Sequence, residues 1–522
     1  MLDKLIDTYP SQFVKVHTPL DDRMNSMSRA KKLFLNTITP VLVQILTVIS
    51  GLVLPALKLE AYGSETCGLV NSISQFLSII SFLELGVGAV VKSSLYRPLA
   101  EGKYKEISGI ICSARHFFRN LGRILLIYVI LLCIIYPLIV KSSFHKGYIV
   151  VLIFSSSISL LAQYFFGIVN RLLLNADQKI YIQYILQGMQ IVLNFLAWVL
   201  LIKNGISIQV AVFVSGLIFL IGPIYMSIYV KKNYKIDYNI TVTEEPIKQK
   251  WNGVAQHVAA IILDSTDIVV LSVCASLTDV AIYSVYQMVV SNINSLFVSS
   301  MNGIQSLMGD LWAHNEIEKL RNFFDKVEWL THAITILAFG CTAKLLVPFI
   351  LVYTKNVTDA NYNQPIFGLI LVLAFTFCAL KNPYNVTILA VGHYRQTQHI
   401  FIIAALLNLM ISIISVSYWG IVGVAVGTVT AMVYETVAMA VYLSKNVVRR
   451  PFVYFVKQMA IDGLEIALGF ILTNKFVLHD LNYYEWLILA IKTSLNWSVV
   501  CLSVNLIFKR EDIIKILHLK KR

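Results

Sequence analysis

Two aspartates three residues apart, Asp264 and Asp267, lie inside an apolar stretch that runs from about Trp251 to Ala275, with His257 upstream of them. On a helix that spacing puts both carboxylates on one face, where they can bind a proton or Na⁺, or pair with a basic residue in one conformation. An ionised carboxylate deep in a bilayer costs at least about 2.5–3.5 kcal/mol, so it faces a watery cavity or a partner. The chemistry is that of a polar interior within a membrane, and its natural use is transport.

The elements that must hold such an interior are long apolar helices. The sequence is 57% hydrophobic and 14% charged, well below the roughly 25% charged residues of soluble domains. Windows of about nineteen residues give about fourteen spans, near 33–57, 68–91, 121–141, 149–170, 181–202, 207–230, 252–275, 280–305, 328–353, 365–391, 399–418, 421–443, 459–474 and 486–508. The thirteenth is the weakest, because it is short and carries Asp462 and Glu465. The net charge of +14 comes from short basic loops, with no basic domain to dock nucleic acid. With both termini placed in the cytoplasm, roughly 34 of the 43 Lys and Arg fall inside, a strong positive-inside bias. Seven scattered cysteines form no CxxC pair and read as packing residues. About thirty polar residues precede the first apolar run, which argues against a cleavable signal. Since Met27 opens a plausible membrane-protein start, the leading residues read as a dispensable arm.

A weak repeat appears at an offset of about 213 residues. The loops around Leu99–Ile107 and Trp312–Leu320 each follow the second span of a half and lead through paired phenylalanines into the next. The expected fold is an all-α polytopic membrane protein with two parallel six-helix lobes and two added C-terminal helices. The corresponding domains are a cytoplasmic arm (1–32), an N-lobe (33–230), a linker (231–250), a C-lobe (251–443), two further helices (444–508) and a basic tail (509–522). Polar residues gather on the first two spans of each half. They are Asn36, Thr39, Gln44 and Thr47; Asn71, Ser74, Gln75, Ser78 and Ser81, ahead of Glu84; Asn252, Gln256, His257, Asp264 and Asp267; and Gln287, Ser291, Asn294, Asn302 and Gln305. In the fifth span, Gln183, Gln187, Gln190 and Asn194 read as a packed seam in preference to a cavity wall. Lys381 and Glu435 interrupt spans ten and twelve as either a structural ion pair or a ligand pair.

The segment Phe82-Leu83-Glu84-Leu85-Gly86-Val87-Gly88, followed by Leu95-Tyr96-Arg97-Pro98-Leu99, resembles the polysaccharide-transport branch of the multidrug/oligosaccharidyl-lipid/polysaccharide exporter superfamily. So does Lys381-Asn382-Pro383-Tyr384 with Leu389-Ala390-Val391-Gly392-His393-Tyr394. The similarity runs from about residue 28 to the last spans. The resemblance implies two six-helix bundles around a central cavity lined by the first two helices of each lobe. It also implies a flippase that carries undecaprenyl-diphosphate-linked oligosaccharide from the inner to the outer leaflet of the bacterial cytoplasmic membrane, for capsule, O-antigen or exopolysaccharide synthesis. It implies polymerase and chain-length proteins as partners beside the membrane lipids, and it supplies no catalytic motif.

Basic residues near the cytoplasmic mouth are then the candidates for the diphosphate, with Lys as a point charge and Arg as a bidentate donor. They are Arg29, Lys32, Lys92, Arg97 and Lys250. Sugar hydroxyls would meet Asn36, Gln44, Gln75, His257, Tyr283, Tyr286, Gln287 and Asn294, while Asp264, Asp267 and Glu84 are the coupling or charge candidates. The expected protein is not an enzyme and needs no cofactor. No GxxxxGK[ST] segment is present, so energy would come from a proton or Na⁺ gradient, or from consumption of product outside. A cation-coupled multidrug exporter of the same superfamily is the nearest alternative. A membrane glycan polymerase or acyltransferase is the next, disfavoured because the longest external loop, about Thr354–Gln364, has no His, Cys or Glu.

Overall fold

The computed structural model describes residues 29–80, 87–238, 240 and 254–509, with backbone alone at some positions, among them Arg29, Lys32, His257 and Asp264. Seventeen α-helices account for nearly all of these residues. The first bundle is α1 (Arg29–Tyr62), α2 (Ser64–Ile79), α3 (Val87–Glu101), α4 (Tyr104–Ile139), α5 (Lys146–Ala162), α6 (Ile168–Ala176), α7 (Ile180–Lys203) and α8 (Ile208–Asn233). A π-helical turn, Gln163–Gly167, joins α5 to α6. The second is α9 (Val254–Cys274), α10 (Leu277–Ala313), α11 (Ile317–Tyr353), α12 (Pro365–Leu380), α13 (Asn382–Ala390), α14 (Tyr394–Trp419) and α15 (Ile421–Asn446). The final pair, α16 (Val453–Thr473) and α17 (Tyr483–Phe508), packs on α11.

The described parts of the expected spans fall almost entirely on helix, and among the described residues ten helical stretches are long and apolar enough to cross a bilayer. Only helices and closed barrels satisfy every backbone N–H and C=O without water, which is why apolar runs of this length become helices. Large apolar side chains such as Leu138, Phe154, Leu200, Ile228, Ile414 and Val499 are exposed on the bundle exterior, as a lipid-facing surface requires. Pro40 and Pro55 sit inside an unbroken α1, a tolerance that membrane helices extend to proline. A capping box starts α10: the Asp279 N–H donates to Ser276 Oγ and the Ser276 N–H donates to the Asp279 carboxylate.

The lobes meet where α2 crosses α9 and α10. A Cβ on Gly68 would lie 1.7 Å from the Leu277 carbonyl oxygen, so only glycine permits this approach of α2 to α10. The hydrogen bonds that join the lobes cluster at this same end. Asp359 accepts from the Ser64 N–H at 2.6 Å and from Ser64 Oγ at 2.7 Å, thereby capping α2 from the opposite lobe. Ser64 Oγ also lies 2.8 Å from the Tyr362 hydroxyl, Tyr353 donates to the Leu52 carbonyl at 2.7 Å, and Asn356 donates to Glu60 at 3.3 Å. Gly63, at φ +80°, makes the tight turn from α1 into α2 that brings Ser64 under Asp359.

Candidate functional site

Just beneath this seal lies a cavity of about 410 Å³ between the lobes. Its walls come from α1, α2 and the α7–α8 end on one side, and from α9 and α10 on the other. Six polar amide and hydroxyl side chains line it among the described residues: Asn71, Ser74, Gln75, Ser284, Gln287 and Ser291. The cation in this cavity is Lys58, whose Nζ sits 3.8 Å from the centre of the Trp198 ring. Lys58 makes no ion pair among the described residues. Burial holds the Tyr362 phenol above its ordinary pKa, so the seal over the cavity is closed by a neutral hydroxyl.

Of the residues expected to line the cavity, Gln75 and Gln287 do so. Others lie elsewhere. Asn36 ties α1 to the turn before α7, donating to the Gln178 carbonyl at 2.8 Å and accepting from the Tyr181 N–H at 3.1 Å. Gln44 is exposed on α1. Asn294 faces α12, where it donates to Cys378 Sγ at 3.6 Å. Lys92 is half-buried on α3, and Arg97 is exposed and paired with Glu101 at 2.7 Å. Tyr286 donates to the Tyr362 carbonyl, inside the C-lobe. Arg29, Lys32, His257 and Asp264 have side chains outside the described set, and Glu84 and Lys250 lie outside the described residues altogether.

Asp267 and Tyr283 meet each other within the C-lobe. The Tyr283 hydroxyl donates to Asp267 Oδ2 at 2.5 Å, Thr428 Oγ1 donates to the same oxygen at 2.8 Å, and Asn408 Nδ2 donates to Oδ1 at 3.3 Å. Ser412 Oγ extends the network to Asn408 Oδ1 at 3.0 Å and to the Val424 carbonyl at 3.3 Å. Asp267 is 4% exposed, so its carboxyl group is met by this shell from α10, α14 and α15 and not by bulk solvent. Lys381 and Glu435 form a buried ion pair at 2.9 Å. Gln190 donates to the Phe219 carbonyl at 2.9 Å, which makes the fifth-span row a seam between α7 and α8 at that point.

Sequence reasoning missed Lys58 and Trp198. Lys58 falls one residue past the end of the first apolar window, and its partner ring is 140 residues away. Several hydroxyls that gave α1, α2 and α10 their polar faces satisfy themselves on their own helix: Thr39, Thr47, Ser74 and Ser291 each donate to a carbonyl three or four residues back.

No protein-family profile and no curated protein matches the sequence. Among solved structures the chain is similar to the lipid II flippase MurJ in an inward closed conformation, with a TM-score of 0.69 at 18% identity over 92% of this chain and 100% of that one. It is also similar to a multidrug resistance MATE family transporter of the MOP superfamily. The TM-score is 0.58 for the inward-facing form (14% identity, 79% of this chain, 98% of that one) and 0.54 for the outward-facing form (14%, 80% and 95%). These likenesses establish the architecture: a polytopic helical membrane protein with the fold shared by MurJ and the MATE transporters of the MOP superfamily.

Proposed function

We propose that this protein is a flippase that moves undecaprenyl-diphosphate-linked oligosaccharide repeat units from the inner to the outer leaflet of the bacterial cytoplasmic membrane, for surface polysaccharide synthesis. The observation that carries this reading is Lys58. An ammonium in a cavity whose other described side chains are uncharged, with no ion-pair partner among the described residues, is a site for an anion. The diphosphate would sit against Lys58, and the sugars against Asn71, Gln75, Gln287 and the serines, while the polyprenyl chain stays in lipid. The positive-inside bias puts the sealed end outside, so this conformation presents the cavity to the cytoplasmic side. Rocking of the lobes would break the seal and close the opposite end.

Asp267 is the coupling residue in this reading. Its carboxylate and the hydroxyl and carbonyl oxygens of Thr428, Ser412 and Val424 form an oxygen-rich pocket suited to a proton or Na⁺. A cation-coupled multidrug exporter is the second reading, favoured by the likeness to the MATE structures. Lys58 weighs against cationic drugs, which it would repel.

The test is translocation of a fluorescent undecaprenyl-diphosphate oligosaccharide in proteoliposomes containing this protein alone. Lys58→Gln removes a charge-assisted contact worth about 1.5–3 kcal/mol, so flipping should fall by roughly ten- to a hundredfold. Asp267→Asn should slow flipping and remove its dependence on the proton or Na⁺ gradient. Absence of flipping by the wild type, together with cationic-dye export that Lys58→Gln leaves intact or raises, would replace this reading with the drug exporter.

A further inference from the structure

Away from the cavity, α11 meets α16 and α17 along a seam rich in buried ionisable groups. His332, Asp462 and Glu465 are 0%, 2% and 1% exposed. His332 Nδ1 lies 2.5 Å from Asp462 Oδ2, and Gln458 Nε2 donates to Asp462 Oδ1 at 3.2 Å. Asn505 Nδ2 donates to Glu465 Oε1 at 2.6 Å, and its own oxygen accepts from Trp329 Nε1 at 2.7 Å. The Cys501 thiol lies beside Glu465. Among the described residues His332 Nε2, Thr335 Oγ1 and Thr493 Oγ1 have no hydrogen-bond partner, and Glu465 Oε2 meets no amide or hydroxyl donor.

The charges facing this group can be counted. From α11 come Glu328, His332 and the Cys341 thiol; from α13, Tyr384; from α16, Asp462 and Glu465; from α17, Cys501; and from the turn before α16, Arg450. Arg450 is already committed to Glu328 and, at 2.5 Å, to Asp325, while Tyr384 donates to Glu328. His332 is therefore the base left for two carboxyl groups. If His332 is protonated against an ionised Asp462, Glu465 has no cation to balance it. The three groups are neutral only when they share two protons, and removal of one leaves a buried negative charge without a partner.

We propose that His332, Asp462 and Glu465 form a proton-binding site, separate from the central cavity, whose bound proton holds α16 and α17 against α11. The proton rests on Glu465, and His332 shares the other with Asp462. While both protons are bound the seam is neutral and docked. As pH rises and the Glu465 proton leaves, the carboxylate draws water toward the unpartnered Thr335 and Thr493 hydroxyls, and the helix pair loosens.

The test uses the full chain in lipid nanodiscs, with two readouts across pH. Infrared difference spectra should show a neutral carboxylic-acid C=O band that disappears on alkalisation and is missing in Glu465→Gln. Backbone amide exchange in α16 and α17, corrected for its intrinsic pH dependence, should accelerate in the wild type by up to about tenfold per pH unit, the limit for one linked proton. Glu465→Gln removes the group whose proton leaves and should abolish that acceleration while preserving the fold. The proposal is overturned if wild-type exchange in these helices does not change with pH, or if Glu465→Gln titrates as the wild type does.

Discussion

Two interfaces hold this molecule together, and they are built from opposite materials. The seal between the lobes uses a serine hydroxyl, backbone N–H and C=O groups, the phenols of Tyr353 and Tyr362, the Asn356 amide and the solvent-exposed carboxylates of Asp359 and Glu60. Water can satisfy each of these when the seal opens, so the difference between closed and open is small. The seam of α11 with α16 and α17 uses an imidazole, two buried carboxyls and Trp497, which is wedged where a Cβ on Gly340 or Gly469 would fall 2.1 or 2.6 Å from its ring. Opening that seam would present ionisable groups and an indole to lipid, which cannot solvate them. An interface meant to break in every cycle is made of groups with an alternative partner; one meant to stay docked while its protons are bound is made of groups without one. On the proposed cycle, α16 and α17 therefore ride with the C-lobe while the seal opens and closes.

Breaking the seam of α11 with α16 and α17 should have the larger effect. Trp497→Ala empties the space between the two glycines, and the expected loss is about 3 kcal/mol, at the low end for such truncations because lipid removes the transfer term. Thermal unfolding in detergent should shift down accordingly. The seal should be unaffected, as read by alkylation of buried Cys67 with a membrane-impermeant maleimide and mass spectrometry of its peptide. Gly68→Leu is the complementary change. With the Leu277 carbonyl 1.7 Å from the new Cβ, overpacking of about 1–3 kcal/mol should displace the closed-to-open ratio by roughly 5- to 150-fold. Cys67 should then react quickly while thermal stability changes little. Fast Cys67 labelling in Trp497→Ala, or unchanged labelling in Gly68→Leu, would erase the distinction between the two interfaces.

The helices were legible because a bilayer leaves the backbone few alternatives, and an apolar window registers that constraint directly. The faces were less legible. Helical spacing says which residues share a side of one helix, but not which neighbour that side meets. Tyr283 was read toward the sugar and Asp267 toward the cavity, and they meet each other inside the C-lobe. The weakness of the thirteenth span has the same origin. A window counts Asp462 and Glu465 as penalties, whereas His332 and Asn505, 130 and 40 residues away, supply the partners that make their burial tolerable. Lys58 was hidden for a simpler reason, since a cation at the end of an apolar window looks like an interfacial anchor until Trp198 and the cavity are seen beside it.

The finest test of the comparison is Asp359→Asn, which keeps the shape of the seal and changes only its charge. The amide oxygen can still accept one bond from Ser64, but the carboxylate that accepts from both the N–H and the hydroxyl is lost. Bonds to an exposed charged group are screened, so the expected change is about 1 kcal/mol, or roughly fivefold in the closed-to-open ratio. Cys67 labelling should rise by that factor, and high salt should reduce the gap between variant and wild type because screening weakens the wild-type contact. A much larger rise would mean that Asp359 holds the seal almost alone. No rise would mean that the α2–α10 packing at Gly68 holds it and that the polar rim only follows. Either result fixes which element of the seal the transport cycle must overcome.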